Sequence, residues 1–280
     1  MEYKSISQLK REGLQSLKGR WGLAILVCLI TTIITEGISI YGRVSTISHI
    51  LNKDLLSHFS NVDFLLEEMG TSSIMLKLDF LINLLLGGSI TYGLSRFFLN
   101  LTRNENPQFE NLFSGFKYFG KNFLIQLIIE IFGILWTLVV YIPVIIIGFI
   151  TIIGSLSSYS DLTDIEQMPW NVGIEMVIIM VVLFIIASII VELIVLRYAL
   201  AFYIYNDIKD ASVMDCINHS KEMMRGHKYR LLLLNLSFIG WHILSILTLG
   251  IGYLWLRPYI FAATASFYND LKQKSETFLN

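Results

Sequence analysis

The sequence predicts an all-α integral membrane protein of about six transmembrane helices, paired into three helical hairpins that each follow a short cytoplasmic amphipathic helix. Three observations carry this expectation: an excess of apolar side chains, apolar runs long enough to cross a bilayer, and a one-sided distribution of Lys and Arg. Hydrophobic residues make up 54% of the 280 and charged ones 15%, with a mean hydropathy of +0.63. A water-soluble core has no use for that much apolar surface, so the excess is expected to face lipid.

A spanning helix needs roughly 20 apolar residues, because the hydrocarbon core is about 30 Å thick and each residue rises about 1.5 Å. Six stretches qualify, at residues 21–40, 78–101, 123–150, 174–204, 229–249 and 253–268. The third carries Pro143 and is long, as is the fourth, so both are expected to tilt or kink. No small-x-small cleavage site follows the first run, which is therefore expected to stay as a span.

Orientation follows from the basic residues, which collect on cytoplasmic flanks. Lys4, Lys10, Arg11, Lys18 and Arg20 precede the first span. Arg96, Arg103, Lys117 and Lys121 accompany the second connection, Arg197, Lys209, Lys221, Arg225, Lys228 and Arg230 the fourth, and Lys272 and Lys274 the tail. Only Arg43, Lys53, Lys77 and Arg257 fall elsewhere. Both termini are thus expected in the cytoplasm.

An internal repeat organises the same residues. Ser5, Asn106 and Ser212 are expected N-caps: Gln8 and Asp215 stand where a capping box needs them, and Pro107 stands at a first helical position. The interval from cap to glycine is identical in all three, ending at Gly19, Gly120 and Gly226. A basic and aromatic cluster follows each glycine: Arg20-Trp21, Lys121-Asn122-Phe123 and His227-Lys228-Tyr229. Between cap and glycine, Ile6, Leu9, Leu14 and Leu17, then Phe109, Leu112, Phe113 and Phe116, then Val213, Ile217 and Met224 keep helical spacing. The intervals Gly19 to Arg96 and Gly120 to Arg197 are equal, whereas Gly226 to Arg257 is far shorter. We therefore expect one membrane domain of three units, at residues 5–104, 106–210 and 212–271, the last with most of its outer loop lost.

The stretch Phe109-Glu110-Asn111-Leu112-Phe113-Ser114-Gly115-Phe116-Lys117 resembles the bacterial integral-membrane family catalogued as domain of unknown function 975. So does Ser220-Lys221-Glu222-Met223-Met224-Arg225-Gly226, with Leu236-Ser237-Phe238-Ile239-Gly240-Trp241, Leu249-Gly250-Ile251-Gly252, Pro258-Tyr259 and Phe267-Tyr268 after it. The likeness covers nearly the whole chain and implies a plasma-membrane protein of a Gram-positive bacterium. It implies no reaction.

Charges within the spans are the sharpest functional signal, since one placed in hydrocarbon costs at least about 2.5 to 3.5 kcal/mol without water or a partner. Glu36 lies about 22 Å past Trp21 by helical rise, and Arg257 begins the sixth span at a similar outer depth. Glu130, Glu192, Arg96 and Arg197 form an inner set, for which snorkelling arginines and helix-end glutamates are the plainer account. Ser89 with Gly93, and Ala262 with Ser266, mark close helix packing.

P-loop, GxGxxG, GxSxG and zinc signatures are absent, so no catalytic residues, cofactor or metal are expected. Cys28 and Cys216 are not expected to pair, and the five histidines show no metal-ligand spacing. The acidic outer-loop residues Asp54, Asp63, Glu67, Glu68, Asp161, Asp164 and Glu166 read as a solvated face rather than a calcium site. A net charge of −1 argues against nucleic acid. Two functions remain: a non-catalytic module that binds membrane lipids, anionic ones at the inner leaflet, or a membrane-protein partner, and a small transporter or flippase with a pathway lined by the intramembrane Glu and Arg residues.

Overall fold

The computed structural model describes residues 3–52, 77–157 and 170–279. The acidic outer-loop residues named above lie outside the described residues. Those described form helices joined by turns, with no strand among them: α1 (Ile6–Ser16), α2 (Trp21–Asn52), α3 (Lys77–Thr102), a 3₁₀ segment (Phe109–Tyr118), α4 (Phe119–Ser157) and α5 (Trp170–Val195). After a short 3₁₀ turn (Leu196–Tyr198) follow α6 (Ala201–Asp207), α7 (Val213–Met223), α8 (Lys228–Leu236), α9 (Ile239–Leu247) and α10 (Tyr253–Leu279).

Four helical stretches are long and apolar enough to cross a membrane: Lys77–Thr102, Phe109–Thr151, Val177–Asp207 and Lys228–Leu247. The pair Ile6–Ser16 and Trp21–Gly37, bent by 101°, is a fifth candidate. The sequence expectation was six. The difference is α10, whose Arg257, Asn269, Asp270, Lys272 and Lys274 dilute an apolar first half.

Local chemistry accounts for two of the three expected helix starts. The Ser5 hydroxyl oxygen accepts a hydrogen bond from the Gln8 amide while the Ser5 amide donates to the Gln8 side-chain oxygen, and Ser212 and Asp215 are paired in the same way. Gly19 and Gly226 then turn the chain at φ of 75° and 84°, a left-handed conformation that glycine adopts without steric cost. The middle segment departs from this plan. Asn106 is not an N-cap: the helix begins at Phe109 after extended Gln108, and Pro107 is buried ahead of it. Gly120 is not a helix stop either, because Phe119 is already helical and α4 runs on without a break.

The chain divides into two compact units, Met1–Leu127 with Leu200–Asn280, and Ile128–Ala199. In the first unit each amphipathic segment lies on another helix: α1 on the distant α10, the 3₁₀ segment on the preceding α3, and α7 on the preceding α6. α1 buries Leu9, Gly13 and Leu17, one helical turn apart, and α7 likewise buries Cys216, Ser220 and Met224. The 3₁₀ segment has three residues per turn, which brings Leu112 and Gly115 to the same side. Small residues let these backbones touch. A Cβ on Gly93 would stand 1.8 Å from the Leu112 carbonyl, one on Gly115 2.0 Å from that of Ser89, and one on Gly13 2.8 Å from the Ala263 amide. Ser220 accepts a hydrogen bond from the Leu200 amide at 3.2 Å, and Asn122 donates to the Gly115 carbonyl at 2.8 Å. Ile90, Phe97, Phe98, Ala262, Ala265 and Phe267 fill the interior between α3 and α10.

The second unit is built differently. Residues of α4 meet α5 and the 3₁₀ turn after it in opposite order along the chain, Phe132 stacking on Tyr198 and Tyr141 packing on Phe184 with its hydroxyl 2.7 Å from Ser188. Around that seam Val139, Phe149, Val177 and Ile178 remain exposed. Exposed aliphatic side chains on both helices suit a hydrocarbon surrounding.

Replacing Gly93 by Ala is expected to destabilise the protein by about 1 to 3 kcal/mol through overpacking against the Leu112 backbone. Gly133→Ala, where nothing lies within 4 Å of the new Cβ, should be neutral or mildly stabilising. Thermal unfolding of both variants in one detergent is the measurement; equal midpoints would refute the close approach.

Candidate functional site

Glu36 and Arg257 are brought together. The Arg257 Nη2 donates to Glu36 Oε2 at 2.8 Å and its Nη1 to the Thr32 hydroxyl at 2.6 Å. Thr32 and Glu36 stand one turn apart on α2, and Arg257 lies just past the first turn of α10, so one guanidinium spans two rungs of the facing helix. The pair is not sealed: the side chains are 34% and 42% exposed. Next to Glu36 on α2, the Thr35 carbonyl accepts a hydrogen bond from Asn83 at 2.6 Å, and Asn83 also donates to the Asp79 carbonyl at 3.1 Å. Asn83 opens the single π-helical turn (Asn83–Gly87) of α3, an irregularity that frees backbone carbonyls for side chains to satisfy.

The inner set is spread over both units. Arg96 sits half-buried on α3 in the first. Glu130, Glu192 and Arg197 belong to the second, where Arg197 lies 5.8 Å over the Trp136 ring and Glu192 is exposed on α5. Cation–π contact of this kind fits a guanidinium near a membrane boundary.

A larger polar cluster went unnoticed in the sequence. Arg103, just past the end of α3, donates in a fork to Asp207 at 2.7 and 2.9 Å and also to the Asn269 side-chain oxygen at 3.0 Å. Asp207, the last residue of α6, accepts further bonds from the Tyr268 hydroxyl at 2.8 Å and Lys272 at 2.9 Å. Asn269 donates onward to Thr102 at 3.0 Å. The hydrogen bond to the Asp207 carboxylate raises the Arg103 pKa above its ordinary value, so the guanidinium stays charged. Beside this node Arg230 donates to buried Asp270 and to the Lys4 carbonyl, its plane lying between the Tyr3 and Phe267 rings. The one available signal was positional: Arg103, Asp207 and Asn269 each mark the inner end of a predicted span.

These groups tie the ends of α3, α6 and α10 together. With that geometry in hand, comparison with known proteins gives one match. The family described as "Protein of unknown function (DUF975)" matches residues 1–275, essentially the whole chain. No curated protein and no solved structure matches the chain.

The two ends of the outer pair should be energetically coupled. Glu36→Gln or Arg257→Met alone is expected to cost about 3 kcal/mol, since either strands a charge, whereas the double variant should recover most of that. Unfolding midpoints of the three variants in one detergent measure the coupling; effects that simply add would show that the residues act independently.

Proposed function

Because the chain belongs to the DUF975 family, which carries no assigned reaction, we propose from its own physical features that it is a non-catalytic plasma-membrane module whose inner face binds anionic lipid. In this reading six spans form three hairpins of a threefold repeat, with both termini in the cytoplasm. The sixth span is α10: its polar residues are engaged within the protein, Arg257 with Glu36 and Asn269 with Arg103. Residues 253–268 then supply about 24 Å of helix, enough to cross most of the hydrocarbon core.

One observation carries the lipid assignment. Each amphipathic segment sinks one stripe into the first unit and leaves basic and aromatic side chains outside it. Around the 3₁₀ segment, Phe113, Phe116 and Phe119 are exposed beside exposed Lys117 and Lys121. Lys18 and, after α7, Arg225 and Tyr229 stand out similarly. Aromatic rings favour the headgroup level, and each basic residue there gains about 1 kcal/mol from anionic lipid. The transporter or flippase alternative draws support from the half-exposed Glu36–Arg257 pair. Against it, Ala24, Val27, Ala262 and Ala265 fill the interior of the first unit with apolar side chains.

Native mass spectrometry of detergent-purified protein should show phosphatidylglycerol retained over phosphatidylcholine. That preference should weaken with salt and in the Lys117→Glu/Lys121→Glu variant. Equal retention of the two lipids across the salt series would end the proposal. For the orientation, a reporter fused after Asn280 is expected to read as cytoplasmic, and one inserted near Asp63 or Asp164 as external. An external C-terminus would remove α10 as a span.

A further inference from the structure

We infer that the notch formed by Arg257, Glu36 and Thr32 is a second lipid site, one that takes the phosphodiester of an outer-leaflet glycerophospholipid whose headgroup carries a hydroxyl or ammonium donor. The inference rests on the six-span orientation but not on inner-face lipid binding.

Depth comes first. α8 and α9 together span Lys228–Leu247, and the turn that follows is apolar: Leu249 is 94% exposed, with Ile246, Leu247 and Ile251 exposed beside it. Such a turn is favoured at the edge of the hydrocarbon rather than beyond it. Arg257 lies about 6 Å further in by helical rise from Tyr253. The ion pair is thus held within the apolar layer, at a level where Ile33 and Trp255 are also exposed.

Chemistry then selects the ligand. Arg257 spends one N–H on Thr32 and one on Glu36, and the rest of its fork remains for another acceptor. A phosphodiester matches that fork in charge and geometry. The second carboxylate oxygen of Glu36 is placed to accept from a hydroxyl or ammonium on the headgroup. Exposed Ile33, next to Thr32 on α2, offers apolar surface to the glycerol and upper acyl chain. An aqueous phosphate would have to give up its hydration to reach this level, whereas a phospholipid carries its phosphate to the membrane on chains that already belong there.

The full chain, purified in mild detergent, is titrated with phosphatidylglycerol and phosphatidylcholine and followed by native mass spectrometry. A Lys18→Glu/Lys117→Glu/Lys121→Glu/Arg225→Glu background removes the exposed basic residues named for inner-face binding. In that background one phosphatidylglycerol should still bind more tightly than phosphatidylcholine, which lacks a headgroup donor. Arg257→Met should weaken it by about tenfold or more, and Arg257→Lys by less. Glu36→Gln, which keeps the guanidinium, should lose far less phosphatidylglycerol than Arg257→Met; an equal loss would mean that both merely disturb the fold, and would overturn the site. Unchanged affinity in Arg257→Met would also overturn it, while leaving inner-face binding intact. Inorganic phosphate at millimolar concentration should not compete, and displacement by it would replace the lipid with a free anion.

Discussion

Asp207 ends α6 with a carboxylate whose side chain is only 10% exposed, and a charge so placed has to be matched before the helices around it can close. Arg103 meets it from the end of α3, and Tyr268 and Lys272 meet it from α10. Three segments far apart in the chain are thereby held at one level. The backbone contacts farther along the same helices, Gly93 on Leu112 and Gly13 on Ala263, depend on that level being kept, because a slip of one residue would set a side chain where only a glycine fits. Polar matching fixes the height of the helices, and small residues fix their separation.

The two compact units show what the membrane does to this logic. In the first, tyrosines, asparagines, serines and charges lie inside, and Ser220 and Asn206 among them bond to backbone groups of other segments. In the second, α4 and α5 are almost uniformly apolar and meet through a narrow seam of aromatic and hydroxyl contacts. Lipid competes on equal terms for an aliphatic surface, so little drives such helices to bury one another. The specific features of the protein accordingly collect in the first unit.

What was legible in the sequence was local or one-dimensional. The capping boxes at Ser5 and Ser212 need only residues three apart, and the left-handed Gly19 and Gly226 follow from where those helices end. The nearness of Glu36 and Arg257 followed from counting helical rise along two spans. Asn106 and Gly120 were misread for a tertiary reason. The contacts of Gly93 and Gly115 draw the middle segment against α3 as a 3₁₀ helix with a later start and no stop, and that close approach outweighs the local preference for an α-helix capped at Asn106. The Asp207 node was illegible because it depends on the rotation of three helices about their axes. Hydropathy gives depth but not azimuth.

Set side by side, the two ion-pair systems differ in what packing asks of them. Asp207 has two cations and a phenol around it, so its charge is accounted for within the protein and its removal would take an acceptor from Arg103, Tyr268 and Lys272 at once. Glu36 and Arg257 have one another and Thr32, and roughly a third or more of each side chain stays open. An apolar pair in that place would pack α2 against α10 at least as well, since replacing an ion pair by well-fitted apolar residues is often neutral or favourable. Helix packing therefore explains the inner node and leaves the outer pair without a structural reason. A charge pair that stays part-exposed and leaves part of its hydrogen-bonding capacity unspent is suited to meeting something from outside the chain, and in the proposed six-span reading the nearest polar groups are the headgroups of the lipids.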